Sequence, residues 1–244
     1  MNKGIILSGG KGTRLYPLTT TISKQILPVY NKPMIYYPLK TLKDMNIRDI
    51  LVIVADEFQY RIFFNQLGNG NQFDLNISYE IQESPRGLPD AFIIGENFIK
   101  DSESTTLILG DNVFINCKID NTTDNQIFTY KVKNPSSYGV VELHDDNTIK
   151  RIIEKPTEYI SDDAVVGLYK FNSNLAIEQS KKLKPSSRGE LEITDLITEI
   201  NNISKIKVHQ LNGFWFDCGN FDDLLDCSNL IRTIEHRTNK KIIL

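Results

Sequence analysis

Short apolar runs alternate with longer segments of helical period through most of this 244-residue chain. That alternation restricts the fold more than any other feature of the sequence. Gly4–Ser8, Asp49–Ala55, Ile77–Gln82 and Thr105–Leu109 read as strands, with helices expected between them at Pro33–Met45, Glu57–Leu67 and Leu88–Ile99. A strand-helix-strand order builds a largely parallel sheet covered by helices, because a parallel neighbour is reached through a crossover. Later strands are expected at Gln126–Val132, Val140–Leu143, Ile149–Glu154, Ala164–Phe171 and Lys205–Leu211. Later helices are expected at Asn174–Lys182, Thr194–Asn201 and Phe221–Arg237. Val140–Leu143 and Ile149–Glu154 flank Asp145-Asp146-Asn147 and read as an inserted hairpin. No linker, repeat or low-complexity block divides the chain. The expectation is one α/β domain over residues 1–244, Rossmann-like, with a mixed, mostly parallel central sheet flanked by helices.

Charge narrows the function. The formal net charge of −3 argues against general binding to nucleic acid or a membrane surface, and it leaves room for a phosphorylated small molecule. Cys117, Cys218 and Cys227 are odd in number and lack metal-ligand spacing, which disfavours a disulfide framework or a zinc site. With no signal-peptide pattern and no apolar run of membrane-spanning length, a soluble cytoplasmic setting is expected.

Ligands of open α/β sheets bind beyond the carboxyl ends of the strands, which selects the loops after Ser8, Gln82, Leu109 and Glu154. The first of these is Gly9-Gly10-Lys11-Gly12-Thr13-Arg14. Its glycines permit a tight turn and close approach of a ligand, its N–H groups can converge on phosphate oxygens, and Lys11, Arg14 and Lys24 add charge. It is neither a dinucleotide fingerprint, since the frame from Gly10 ends in Leu15, nor a P-loop. An ordinary turn with solvated cations is the competing reading.

Asp111 follows the apolar run Leu107-Ile108-Leu109-Gly110, and Asp217 follows Phe214-Trp215-Phe216. Carboxylates at strand ends suit Mg²⁺, which takes one or two protein carboxylates plus substrate phosphates; turn aspartates are the alternative. Glu154 could accept bonds from sugar hydroxyls, and Lys155 could neutralise a phosphate, although a solvated ion pair is the commoner fate of such residues. Arg188 is equally ambiguous. Gln82, with Gly87 and Leu88 beyond it, could read a base edge or simply end a strand.

Taken together, Gly9–Leu15, Pro17-Leu18-Thr19, Ser23-Lys24-Gln25-Ile26-Leu27-Pro28 and Lys32–Leu39 resemble the glucose-1-phosphate thymidylyltransferases. The likeness continues through Gly110-Asp111-Asn112, Tyr138–Val141, Glu154-Lys155-Pro156, Gly167-Leu168-Tyr169 and Ser187–Asp195, covering nearly the whole chain in order. The resemblance implies the nucleotide-diphospho-sugar transferase fold. It also implies in-line attack of α-D-glucose 1-phosphate on the α-phosphorus of dTTP, giving dTDP-glucose and pyrophosphate with Mg²⁺ as cofactor. By the same likeness Asp111 and Asp217 hold the metal, Arg14 stabilises the leaving pyrophosphate and Lys24 neutralises charge at the reaction centre. Gly9, Gly10, Thr13, Gln25, Gln82, Gly87 and Leu88 bind the nucleotide, with Arg14 and Asp111. Tyr138, Gly139, Glu154 and Val165 line the sugar site, while Lys155 and Arg188 hold its phosphate. No nucleophilic residue is implied.

The chain departs from the family pattern at Lys11, at Pro89-Asp90, at Cys218-Gly219-Asn220, and between Asn112 and Gln126, where the usual helix has no room. Common members also extend beyond the helix ending near Arg237 into a C-terminal part that serves subunit contacts and an allosteric nucleotide-sugar site. A homo-oligomer is implied here, with the tetramer and feedback inhibition tied to those longer members. A glucose-1-phosphate uridylyltransferase is the nearest alternative, since one methyl gives modest discrimination; a non-catalytic nucleotide-sugar sensor on the same fold is another.

Overall fold

The computed structural model describes residues 2–242 and 244. Its strands, in chain order, are β1 (Asn2–Leu7), β2 (Pro28–Val29), β3 (Lys32–Pro33), β4 (Asp49–Val54), β5 (Asn76–Ile81), β6 (Ser104–Leu109), β7 (Asn112–Ile115), β8 (Gln126–Lys131), β9 (Gly139–Leu143), β10 (Ile149–Glu154), β11 (Asp163–Asn172), β12 (Lys207–Gln210) and β13 (Phe214–Asp217). Its α-helices are α1 (Tyr36–Asp44), α2 (Glu57–Leu67), α3 (Asp90–Ile94), α4 (Glu96–Ile99), α5 (Ser173–Lys182), α6 (Ile193–Ile203) and α7 (Phe221–Thr238).

The chain forms two compact units, interleaved in sequence so that no single cut separates them. One comprises the chain up to Ile5, Pro85–Leu107 and Cys117–Asn212; the other comprises Ile6–Ser84, Ile108–Asn116 and the segment from Gly213 on. In the first, the strand order runs β10-β9-β11-β6-β1, with β8 paired to β11 and β12 to β8. The β9–β10 pair is the expected antiparallel hairpin. Helix α5 packs against α3 and α6, and the rings of Phe92 and Phe171 meet at 6.0 Å in this core. In the second, the order is β6-β1-β4-β5, with β4 and β5 parallel. Residues Ile50–Val54 of β4 are buried without alternation, as befits a parallel strand covered on both faces. The fold class is the expected one, a mixed, mostly parallel sheet flanked by helices.

Local chemistry explains some element ends. Asp56 caps α2 by accepting the Gln59 N–H at 2.8 Å, and Asn220 caps α7 by accepting the Asp223 N–H at 2.9 Å. Each such cap contributes about 1 kcal/mol. The second also marks the point where the chain leaves β13, just after Asp217. Three expectations need correction. The single helix over Leu88–Ile99 is broken at Gly95 into α3 and α4, because glycine costs helix stability that apolar spacing does not register. The helix expected from Pro33 starts at Tyr36, since Pro33 is opposite Pro28 in a small ladder. Strands β7 and β13 pair only with each other and were not anticipated at these lengths. Among the described residues, no helix is long and apolar enough to cross a membrane.

Candidate active site

In the second unit, β1 delivers the chain to Ser8, whose N–H donates to the Ile53 carbonyl at 2.8 Å. The glycine loop begins there. A Cβ on Gly9 would stand 3.0 Å from Gln82 Oε1, so a larger residue would press on the one side chain expected to read a base. Gln82 is buried at the end of β5 and donates its own N–H to the Val54 carbonyl at 2.8 Å. Gly12 takes the left-handed conformation at φ 62, and its carbonyl accepts the Thr19 hydroxyl at 2.7 Å. Thr13 and Arg14 then form the start of a single 3-10 turn, with both residues exposed.

A second 3-10 turn over Lys24–Ile26 places Lys24 and Gln25. Lys24 Nζ is paired with the Asp111 carboxylate, and both side chains are largely buried. Gln25 is buried and accepts a bond from the Ser23 hydroxyl, while the Ser23 N–H donates to Gln59 Oε1 at 2.9 Å. Gly110 is required where these pieces meet: a Cβ on it would come within 2.5 Å of Ser8 Oγ and 2.8 Å of Gln25 Cγ.

Two carboxylates 106 positions apart in sequence are brought together here, which spacing could not establish. The β7–β13 ladder sets Asp217 opposite Asn112, and the Cys218 N–H donates to the Asp111 carbonyl at 2.9 Å. Trp215 Nε1 donates to Asn112 Oδ1 at 2.7 Å, locking the same pair of strands. Burial and then the Asp111 charge push the Asp217 carboxyl up to about 6, against the pull of Lys24 and Arg14. Arg14 Nη2 lies 3.8 Å from Asp217 Oδ2. Gly219 leaves space for that guanidinium, since a Cβ would sit 2.6 Å from Arg14 Nη2. Arg14, Lys24, Asp111 and Asp217 therefore form one charge cluster.

The first unit holds the other expected residues. Gly139 stands opposite Glu154 in the β9–β10 ladder, and a Cβ on it would lie 2.9 Å from Thr194 Cγ2 and 3.2 Å from Glu154 Oε2. Lys155 follows at φ 45, a left-handed conformation uncommon for a lysine, held by its N–H donating to the Tyr138 carbonyl at 2.9 Å. Arg188 Nη2 is 3.4 Å from Glu154 Oε1. Burial raises the Glu154 carboxyl above its ordinary range, partly offset by Arg188. Val165 is buried in β11, one residue beyond the Ala164 that pairs with Val140.

Glu192 was missing from the residues assigned by sequence, although its spacing from Arg188 is the helical i,i+4 one. Its carboxylate accepts Arg188 Nε at 3.0 Å, Arg188 Nη2 at 2.5 Å and the Ser186 hydroxyl at 2.5 Å. Burial alone would push its carboxyl up; the bonds from Arg188 and Ser186 outweigh that and hold the group below its ordinary range. The same segment anchors the Gly87-Leu88 turn. Gly87, at φ 106, bridges to Leu191, and the Leu191 N–H donates to the Arg86 carbonyl at 2.7 Å. A Cβ on Gly87 would fall 2.1 Å from the Leu191 oxygen, so only glycine fits. Asp90, one of the departures from the family pattern, is buried and receives Arg86 Nη2 at 2.6 Å. Of the nucleotide residues expected from sequence, Gly87 and Leu88 thus belong to the first unit and the others to the second.

Comparison with known proteins identifies the family. The nucleotidyl transferase family model matches residues 3–234. The glucose-1-phosphate thymidylyltransferase of Neisseria meningitidis serogroup A is 46% identical over 98% of this chain and 86% of its own length. The enzyme of the same name from Mycobacterium tuberculosis H37Rv is 45% identical over 98% of this chain and 85% of its own. A crystal structure from Bacillus anthracis, described as a glucose-1-phosphate thymidylyltransferase in complex with a sucrose, superposes with a TM-score of 0.85 at 33% identity, over 95% of this chain and 96% of that one. UDP-glucose pyrophosphorylase shares the fold, with a TM-score of 0.80 at 24% identity, covering 96% and 99%. With a family match over nearly its full length and relatives this similar, the chain belongs to the nucleotidyl transferase family, on the branch of the glucose-1-phosphate thymidylyltransferases.

Proposed function

We propose that this protein transfers the thymidylyl group of dTTP to α-D-glucose 1-phosphate, producing dTDP-glucose and pyrophosphate. The observation that carries the reading is the cluster of Arg14, Lys24, Asp111 and Asp217 in a chain 46% identical to a thymidylyltransferase. A sugar-phosphate oxygen attacks the nucleotide α-phosphorus in line as pyrophosphate departs. Two polyanions must meet, so the protein's task is positioning and charge neutralisation.

Lys24 is the cation nearest Asp111 and suits the reacting phosphorus. Arg14, more exposed and across from Asp217, suits the departing pyrophosphate. Gly9, Gly10, Thr13 and Gln25 would take the nucleotide, and Gln82, Gly87 and Leu88 its base. Glu154 would accept sugar hydroxyls beside Tyr138, Gly139 and Val165, while Lys155 and Arg188 hold the sugar phosphate. Asp111 and Asp217 fit Mg²⁺, because their oxygens form a hard donor set and the Asp111 charge adds to the cost of ionising Asp217. When bound, the ion would neutralise phosphate oxygens.

The test is pyrophosphate release from glucose 1-phosphate, Mg²⁺ and each of dTTP, UTP, CTP, ATP and GTP. Release with dTTP above the others is expected. Silence with every nucleotide would remove the enzyme reading, and a clear preference for UTP would replace the thymidylyl assignment.

A further inference from the structure

Three cations stand on or against the glycine loop, and carboxylates engage two of them. Lys24 pairs with Asp111, and Arg14 faces Asp217. Lys11 is exposed and has no hydrogen-bond or ion-pair partner among the described residues. Yet its position is not that of a stray surface lysine. A Cβ on Gly10, the residue before it, would lie 3.8 Å from both Lys24 Cε and Lys24 Nζ. A Cβ on Gly12, the residue after it, would meet Thr19 Cγ2 at 3.0 Å and Lys24 Cβ at 3.4 Å. The backbone on both sides of Lys11 therefore lies along the Lys24 side chain, the cation paired with Asp111. The left-handed φ of 62 at Gly12 and its bond from Thr19 hold that course.

Charge bookkeeping then singles Lys11 out. The positive charges of Lys24 and Arg14 already face the negative charges of Asp111 and Asp217, whereas the ammonium of Lys11 would meet a phosphate without giving up a protein partner. We propose that Lys11 binds the β- and γ-phosphates of the incoming nucleotide, the portion that leaves as pyrophosphate; this rests on the thymidylyltransfer reading. The terminal phosphates are the ones assigned because Lys24 serves the reacting phosphorus and Arg14, on the same loop as Lys11, serves the leaving group. A flexible ammonium suits such a site as a point charge.

The test is Lys11→Ala, assayed in both directions with Mg²⁺ beside the unaltered protein. The expected result is a rise of about tenfold in KM for dTTP forward and for pyrophosphate in reverse, equivalent to the loss of one charge-assisted contact. KM for glucose 1-phosphate and for dTDP-glucose should stay within about twofold, since neither carries the departing phosphates. The thermal midpoint should not move, because the side chain is exposed and unpaired, and Lys11→Arg should restore most of the loss. An unchanged KM for pyrophosphate, or a rise found only with dTDP-glucose, overturns the assignment of Lys11 while leaving the enzyme reading intact. An unaltered protein that turns over none of these substrates overturns both.

Discussion

The two charged clusters of this molecule solve opposite problems. In the second unit, burial and then the Asp111 charge make Asp217 resist ionisation, and the cations around the two carboxylates are held by single contacts. In the first unit, two carboxylates surround one guanidinium, with Glu192 gripping Arg188 through both Nε and Nη2. The former arrangement sets two cations against two carboxylates and, on the proposed function, would take a metal ion and a polyphosphate. The latter holds one arginine between two carboxylates in a fixed orientation, which on the proposed function would face a single phosphate. In one cluster two neighbouring carboxylates are each met by one cation, and in the other two carboxylates share a single guanidinium.

The largest effect expected from breaking this contrast lies at Asp111. Asp111→Asn should lower kcat by roughly a thousandfold, comparable to removing a principal electrostatic element of an active site. It should also lower the urea midpoint, because it leaves the largely buried Lys24 ammonium without its carboxylate, so turnover is compared per folded molecule. Normal turnover in that variant would take Asp111 out of the site.

Next comes the cost of the crowded carboxylates themselves. The Asp217 carboxyl is raised to about 6, so its contribution to stability is fully present below its ordinary unfolded value and is lost as pH rises through about 6. In EDTA, Asp217→Asn should therefore match the unaltered protein near pH 4 and become more stable by roughly 1–3 kcal/mol by pH 8, taking about 1.4 kcal/mol per pH unit. The measurement is urea unfolding across that range. A variant equally or less stable at pH 8 would mean that neither burial nor the Asp111 charge burdens an ionised Asp217.

The smallest effect sharpens the other half of the comparison. Glu192→Gln loosens Arg188 without removing it and should raise KM for glucose 1-phosphate about tenfold, with KM for dTTP and kcat within about twofold. A matching rise for both substrates would assign Glu192 to general stability instead of to orienting Arg188.

Much of this was legible in the chain. β10 was read with its observed ends, the hairpin with β9 was expected, and the glycine loop, Asp111 and Glu154 all fall where the strand-end rule sends them. What escaped has physical causes. β7 and β13 are each four residues long and owe their existence to one another across about a hundred residues, so no local window contains the signal. Glu192 escaped because the charged stretch from Arg188 through Glu190 to Glu192 looks like solvated surface until the Glu192 carboxylate is seen to be buried with Arg188 as partner.

By itself the sequence determined the local events: where strands give way to glycine turns, which cations stand on those turns, and where Asp56 and Asn220 cap helices. Those depend on backbone preferences and on bonds spanning a few residues. Only the tertiary structure decided that Asp217 would crowd Asp111, that Arg14 would face Asp217, and that the Gly87 turn would rest on Leu191. Electrostatic coupling and steric fit depend on separation in space, and the ladders that set that separation join residues far apart in the chain.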